Sequence, residues 1–261
     1  MKKWVNIENK LIPLAFIILL IVFWQLIVEG GIVKKYTLPA PADIVTTLFE
    51  IMPVLIEHIS VTLMEAAIGF LVAIGLAVVL AVLMDNVPVV KKAFYPLIIV
   101  SQTVPIIALA PLFAIWFGFG LLPKVIVVIL VCFFPVTISL IHGLESVDQD
   151  LLNLLVSMGA NKLQIFRLVK FPASMVHFFS GLRIAATYSI MGAIIGEWLG
   201  GSSGLGVYML RAKHSYALDR MFAAILVIVV LSILVFLFID LLERLLVPSK
   251  KIAHERQTID F

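Results

Sequence analysis

Two runs of three consecutive polar side chains, Ser101-Gln102-Thr103 and Thr187-Tyr188-Ser189, stand inside stretches otherwise apolar enough to cross a bilayer. Their hydroxyl, phenol and amide groups can exchange a solute's water hydrogen bonds for protein ones. The first run lies between Pro96 and Pro105, with Pro111 further on. Backbone freed by such breaks is tolerated at membrane depth only where it lines a cavity or is buried in protein. In the second run, three successive polar side chains cannot all face lipid without cost. At least one member of each trio is therefore expected on a translocation path. The alternative is a kinked helix whose hydroxyls bond back to their own carbonyls.

Bond-making chemistry finds no candidates. No G-x-x-x-x-G-K-[ST] occurs, nor even a Gly-Lys pair, so the chain has no cradle for ATP phosphates. His58, His142, His177, His214 and His254 are scattered without ligand spacing, and there is no Cys-x-x-Cys, so no metal is expected. The single Cys132 excludes an intrachain disulfide and reads as a small buried apolar residue. No catalytic residue or cofactor is expected, and energy for transport must come from a partner.

The polar trios must be positioned by membrane helices. With 62% hydrophobic and 13% charged residues and a mean hydropathy of +1.17, this is an integral membrane protein. Six spans are predicted: 11–28, 59–84, 93–113, 121–141, 178–199 and 222–242. Each suffices for a hydrocarbon core about 30 Å thick. The first resembles a signal peptide, but Val28-Glu29-Gly30-Gly31 is a poor cleavage site, so it is taken as a retained anchor, 11–28. With a cytoplasmic N-terminus, twelve Lys and Arg residues fall on inner segments, including Lys2, Lys3, Lys10, Lys250 and Lys251, and six on outer ones. That bias places both termini in the cytoplasm. No repeat is visible and the charged tail from Ser249 is short, so residues 1–261 read as one membrane domain with a core at 59–246. Residues 38–55, punctuated by Pro39, Pro41 and Pro53, suggest a short interfacial helix on the outer face.

One polar interruption, 145–172, then falls in the cytoplasm. Leu151, Leu154, Leu155 and Met158 recur at i, i+3, i+4 and i+7 and form one apolar stripe on a short helix, with Asp148 and Asp150 at its N-terminus. Gly159 permits a turn, and a second helix from Asn161 carries Leu163, Phe166 and Val169 until Pro172 ends it. Such a helix-turn-helix is either a surface loop resting on the bundle or a docking element for a soluble partner.

The Gly159-to-Pro172 spacing resembles the coupling loop of binding-protein-dependent ATP-binding cassette (ABC) importers, E-A-A-x-x-x-G-x9-I-x-L-P. Here Val169 stands at the isoleucine, Phe171 at the leucine, and Asn153-Leu154-Leu155 replace Glu-Ala-Ala. Further resemblance lies in Leu38-Pro39-Ala40-Pro41, in Pro105 to Pro111 with Trp116-Phe117-Gly118-Phe119-Gly120, in Gly181-Leu182-Arg183-Ile184-Ala185, and in Glu197-Trp198-Leu199-Gly200 running into Ser203-Gly204-Leu205-Gly206. It covers nearly the whole chain and points to the nitrate/sulfonate/taurine branch of permeases.

The resemblance implies an all-α, six-span fold of the type I importer permease, with the coupling loop at 146–172. It also implies two ATPase subunits docking on Asn153, Leu154, Leu155, Met158, Gly159, Ala160, Phe166 and Pro172. A second permease copy, homodimeric or a related subunit, would complete the pore, and an extracytoplasmic binding protein would deliver solute. The location is a prokaryotic cell membrane, with no nucleic-acid partner. Rival readings are an ATP-independent secondary transporter or channel, and an accessory subunit that anchors a complex.

Members moving sulfonates or nitrate often carry arginine where this chain has Gln102 and Glu65. Their absence favours a neutral heteroaromatic, such as a thiamine pyrimidine precursor, over a sulfonate, nitrate or other small anion. Trp116, Phe117, Phe119, Tyr188 and Trp198 are available for stacking. Other charged residues read as structural: Arg183, about 9 Å into its span, snorkels to the cytoplasmic interface, and Glu65 and Glu197 stay wet at outer span ends, Glu197 within the family's Glu-Trp-Leu-Gly pattern at the outer gate. Gly192 and Gly196 let helices approach closely, within the subunit or across a dimer.

Overall fold

The computed structural model describes residues 2–247, with side chains from residue 11 onward. Lys2, Lys3 and Lys10 as charges, and the charged tail from Ser249 with Lys250 and Lys251, lie outside what it describes. Among the described residues every regular element is helical: α1 Lys2–Glu29, α2 Pro41–Asn86, α3 Pro88–Ser101, α4 Ile106–Phe117, α5 Leu121–Glu145, α6 Gln149–Ser157, α7 Lys162–Ile165, α8 Phe171–Glu197, α9 Leu205–His214 and α10 Leu218–Leu246. Five helices are individually long and apolar enough to span, and the α3–α4 pair makes a sixth if counted as one broken span.

The bundle is organised around α5, which packs chiefly on α8 and α2. Small residues bring the backbones together. A Cβ at Gly69 of α2 would overlap the Val128 side chain of α5, one at Gly181 of α8 would lie 2.8 Å from the Pro135 carbonyl oxygen, and one at Gly196 would lie 2.8 Å from Lys124 Cα. At Gly192 it would lie 2.7 Å from Val131 Cγ2. Gly192 and Gly196 thus serve contact within the subunit, a choice the spacing alone left open. Around these approaches sit Ala66, Ala73, Ala77, Cys132, Val136, Phe179, Leu182, Ala185 and Ile190, all buried. Cys132 Sγ lies 3.2 Å from the Ala185 carbonyl oxygen and is closed off, as its apolar setting suggested. Outside this core, α1 touches α2 and residues 11–22 are exposed.

Three boundaries differ from expectation. The interfacial helix at 38–55 is the first part of α2, which runs unbroken through Pro53 for 46 residues. Proline removes one N–H and crowds the carbonyl four residues back, yet the helix continues, with Ile51 and Leu55 buried on either side. The third span is not continuous: α3 and α4 meet at 102°. Pro105 has no N–H and biases Val104 toward extended backbone. Finally, Pro172 does not end a helix. It occupies the first turn of α8, where its missing N–H is tolerated, after a π-helical turn at Phe166–Lys170.

Candidate coupling segment and translocation path

The segment between α5 and α8 is built by local hydrogen bonding. Asp148 caps α6, its carboxylate accepting from the Asp150 N–H at 2.8 Å. At the other end Gly159 adopts φ +85°. Its N–H donates to the Val156 carbonyl at 2.9 Å, and the Ala160 N–H reaches the Leu155 carbonyl at 3.0 Å. This pair of bonds is a Schellman closure and requires a left-handed residue at position 159. Immediately afterwards Asn161 and Gln164 form a reciprocal capping box: each side-chain oxygen accepts from the other's backbone N–H, at 2.9 and 2.8 Å.

Two ion pairs fasten the segment to the bundle. Lys170 Nζ meets Asp85 Oδ1 at 2.7 Å, and Lys91 bonds Glu145. Phe166 packs partly buried against the cluster of Ala81, Met84, Ile98, Leu140 and Leu144. It seats the segment rather than presenting a surface. Pro172, though exposed, lies in the first turn of α8. The outward face is therefore carried by α6 and its turn, where Met158 is 74% and Leu154 56% exposed. Asn153 and Gly159 are exposed beside them, and Leu155 and Ala160 are half-buried. Leu163 and Leu168, later in the same segment, are exposed as well.

At the α3–α4 hinge the hydroxyls are satisfied internally. Ser101 Oγ donates to the Ile98 carbonyl at 2.9 Å and Thr103 Oγ1 to the Val100 carbonyl at 2.7 Å, while Gln102 is exposed. On α8, Thr187 and Ser189 likewise bond back to Ile184 and Ala186, at 2.8 and 2.7 Å, and Ser189 is fully buried. Exposed Tyr188 is the member of that trio which keeps its polar group available. No hydrogen bond joins the two trios among the described residues.

A polar cluster that sequence reading missed lies where α2, α5, α8 and α9 meet. Glu65 and Glu197 are 2% and 1% exposed, so they are not wetted rim groups. Lys124 Nζ binds Glu65 Oε1 at 2.6 Å, with both side chains buried. Glu197 Oε1 accepts from Thr62 Oγ1 at 2.6 Å, and Oε2 accepts from the Gly206 N–H. His58 Nδ1 takes the Gly204 N–H and Thr62 Oγ1 the Leu205 N–H, each at 2.9 Å. Opposite charges near the matching ends of neighbouring spans, followed by Gly200, Gly201, Gly204 and Gly206, were the available signal. Arg183 also differs from expectation: it pairs with Glu243 and lies 3.6 Å from Asp240 on α10, because carboxylates at its own depth replace the snorkelling route.

Residues 69–249 match the family described as binding-protein-dependent transport system inner membrane component. The chain is 38% identical over 240 residues to the formylaminopyrimidine transport permease protein ThiX of Halalkalibacterium halodurans, covering 92% of this chain and 96% of that one. It is 31% identical over 227 residues to the putative aliphatic sulfonates transport permease protein SsuC of Bacillus subtilis, covering 86% and 82%. Among solved structures, an inward-facing form of the MetNI methionine ABC transporter superposes with a TM-score of 0.55 at 18% identity, over 72% of this chain and 92% of that one. That likeness concerns the fold.

Proposed function

Because this chain belongs to the family of binding-protein-dependent transport system inner membrane components, we propose that it carries a neutral heteroaromatic solute through a path beside the α3–α4 hinge. The chain is a multi-pass permease subunit of an ABC importer with a type I permease fold, and it works with ATPase and binding-protein partners. It is not itself an enzyme, since hydrolysis lies in separate subunits of such systems. ATP would be bound there, and this chain would need no cofactor of its own. Two identical permease copies would form the pore, two ATPases would dock on the segments around Gly159, and both termini would face the cytoplasm.

The observation that supports docking most is the Schellman-closed turn at Gly159, which holds Leu154 and Met158 outward while the Lys170–Asp85 and Lys91–Glu145 pairs fix the segment's two roots to α2 and α3. An apolar face held rigidly at a membrane boundary loses little entropy when a soluble partner covers it. For the solute, Gln102 supplies an exposed amide at the break between α3 and α4. An anion entering there would lose hydration and gain dipoles alone, whereas a neutral ring can exchange water hydrogen bonds for amide ones. Similarity to a formylaminopyrimidine permease supports the same choice. The second reading, an aliphatic sulfonate, is favoured by similarity to the sulfonate permease.

Uptake into liposomes holding the permease, its ATPase and its binding protein tests the choice. ATP-dependent accumulation of a neutral aminopyrimidine, with none of taurine or nitrate, is expected. Accumulation of a sulfonate instead would overturn it.

A further inference from the structure

At the end of α2 remote from the coupling segment, a cleft of about 220 Å³ opens between α2, α9 and α10, lined by His58, Tyr208, Arg211, Ser215 and Arg220, with Val54 as an apolar wall. We propose that this cleft binds a phosphate group, that of an anionic phospholipid headgroup in the leaflet facing away from the ATPases.

Its depth follows from α2. Asp85 anchors the coupling segment at one end of that continuous helix. His58 lies 27 residues earlier, roughly 40 Å away at 1.5 Å per residue, which exceeds a hydrocarbon core of about 30 Å. The cleft therefore sits at the opposite membrane boundary. Arg220, two residues into α10, stands where headgroups lie.

The chemistry is cationic and donor-rich. Arg211 lies in the last turn of α9 and Arg220 in the first turn of α10, and a tight turn through Tyr216, held at φ +55°, doubles the chain back so that both side chains line one cavity. Neither guanidinium has a carboxylate partner among the described residues. Arg211 spends one donor on the Ser202 carbonyl at 2.9 Å, and a guanidinium has five. His58 Nδ1 is occupied by the Gly204 N–H at 2.9 Å, so the neutral ring carries its proton on Nε2 and is a donor there. The Tyr208 ring packs on that imidazole, with centroids 5.4 Å apart, and its hydroxyl and that of Ser215 add two more donors. Acidic neighbours are accounted for: Glu57 is exposed, and Asp219 accepts from Thr47 Oγ1 at 3.2 Å and lines the adjacent cleft with Lys35 and Asp43. Two guanidiniums with three neutral donors and no lining carboxylate suit a tetrahedral oxyanion.

The test uses the purified full-length chain in non-ionic detergent. Thermal unfolding is followed while dioctanoyl phosphatidylglycerol, dioctanoyl glycerol or inorganic phosphate is titrated in. A saturable stabilisation by the phosphatidylglycerol, absent with the diacylglycerol, is expected. Affinity should fall about tenfold for Arg211→Gln or Arg220→Gln, each of which removes one charge-assisted contact. Ser215→Asp, a change in an exposed turn, should weaken it as well and stands in if an arginine variant fails to fold. Equal stabilisation by inorganic phosphate, lost in the same variants, supports the site with a soluble phosphate as its source. Absence of saturable stabilisation by either probe, or affinity unchanged in the variants that fold, overturns the proposal.

Discussion

Thr62 Oγ1 donates to Glu197 Oε1 at 2.6 Å across 135 positions of sequence, fastening α2 to the end of α8. The same hydroxyl oxygen accepts the Leu205 N–H, and the second oxygen of Glu197 accepts the Gly206 N–H. One carboxylate therefore holds the glycine-rich turn 198–206 against two helices. A Cβ at Gly204 would overlap that carboxylate, and its φ of +120° is in any case a glycine conformation. Gly204→Ala should lower the melting temperature of the purified chain by the equivalent of about 2 to 4 kcal/mol. Glu197→Gln, which keeps shape but turns one acceptor into a donor, should lose about 1 to 3 kcal/mol. A Gly204→Ala variant that melts like the native chain would refute the latch.

The buried Lys124–Glu65 pair should show the asymmetry of buried ions. Lys124→Met alone strands a carboxylate in an apolar setting and should destabilise by about 3 to 5 kcal/mol, whereas the double variant Lys124→Met/Glu65→Gln should recover most of that. A thermal-unfolding double-mutant cycle reads the coupling directly. Additive effects would mean the two groups do not interact.

Gly159 has open space around it, since a Cβ there would meet nothing within 4 Å. Any cost of substitution is therefore backbone strain rather than collision. Gly159→Val should weaken co-purification of the ATPase subunit while membrane insertion survives, because a β-branched residue resists φ near +85° by about 1 to 2 kcal/mol. Gly159→Asn should retain most of the association. Equal recovery of the ATPase with the Val variant would remove the coupling role.

Cysteines introduced at Ser203 and Lys162 in a Cys132→Ser background should be modified from opposite sides of the membrane. Cys132 itself is buried, so its replacement removes background without opening a surface. Reaction of both sites from outside intact cells would contradict the topology.

Gln102→Leu should reduce heteroaromatic uptake by roughly 5- to 150-fold, the equivalent of about 1 to 3 kcal/mol for a buried ligand group left without its partner. Ser101→Ala and Thr103→Ala should be milder, because both hydroxyls already bond their own helix. Unchanged transport by the Leu variant would reduce the trio to a hinge.

Sequence by itself determined the class, the positions of most apolar helices, and the turn at Gly159. Hydropathy is a sum over consecutive residues, and the Asp148 cap, the Gly159 turn and the Asn161 start depend on neighbours within about six positions. Tertiary structure decided what depends on depth and partners. Pro13 and Pro53 were absorbed into α1 and α2 while Pro105 broke the third span, although all three are prolines in apolar surroundings, so the residue type alone did not decide where the chain bends. Glu65, Glu197 and Arg183 were misread for the same reason. Each has its partner on another helix, 59, 135 and 60 residues away. A charge's cost in the membrane is set by whichever neighbour reaches it, and only the packing of α5 against α2 and α8, with α10 closing on α8, fixes which neighbour that is.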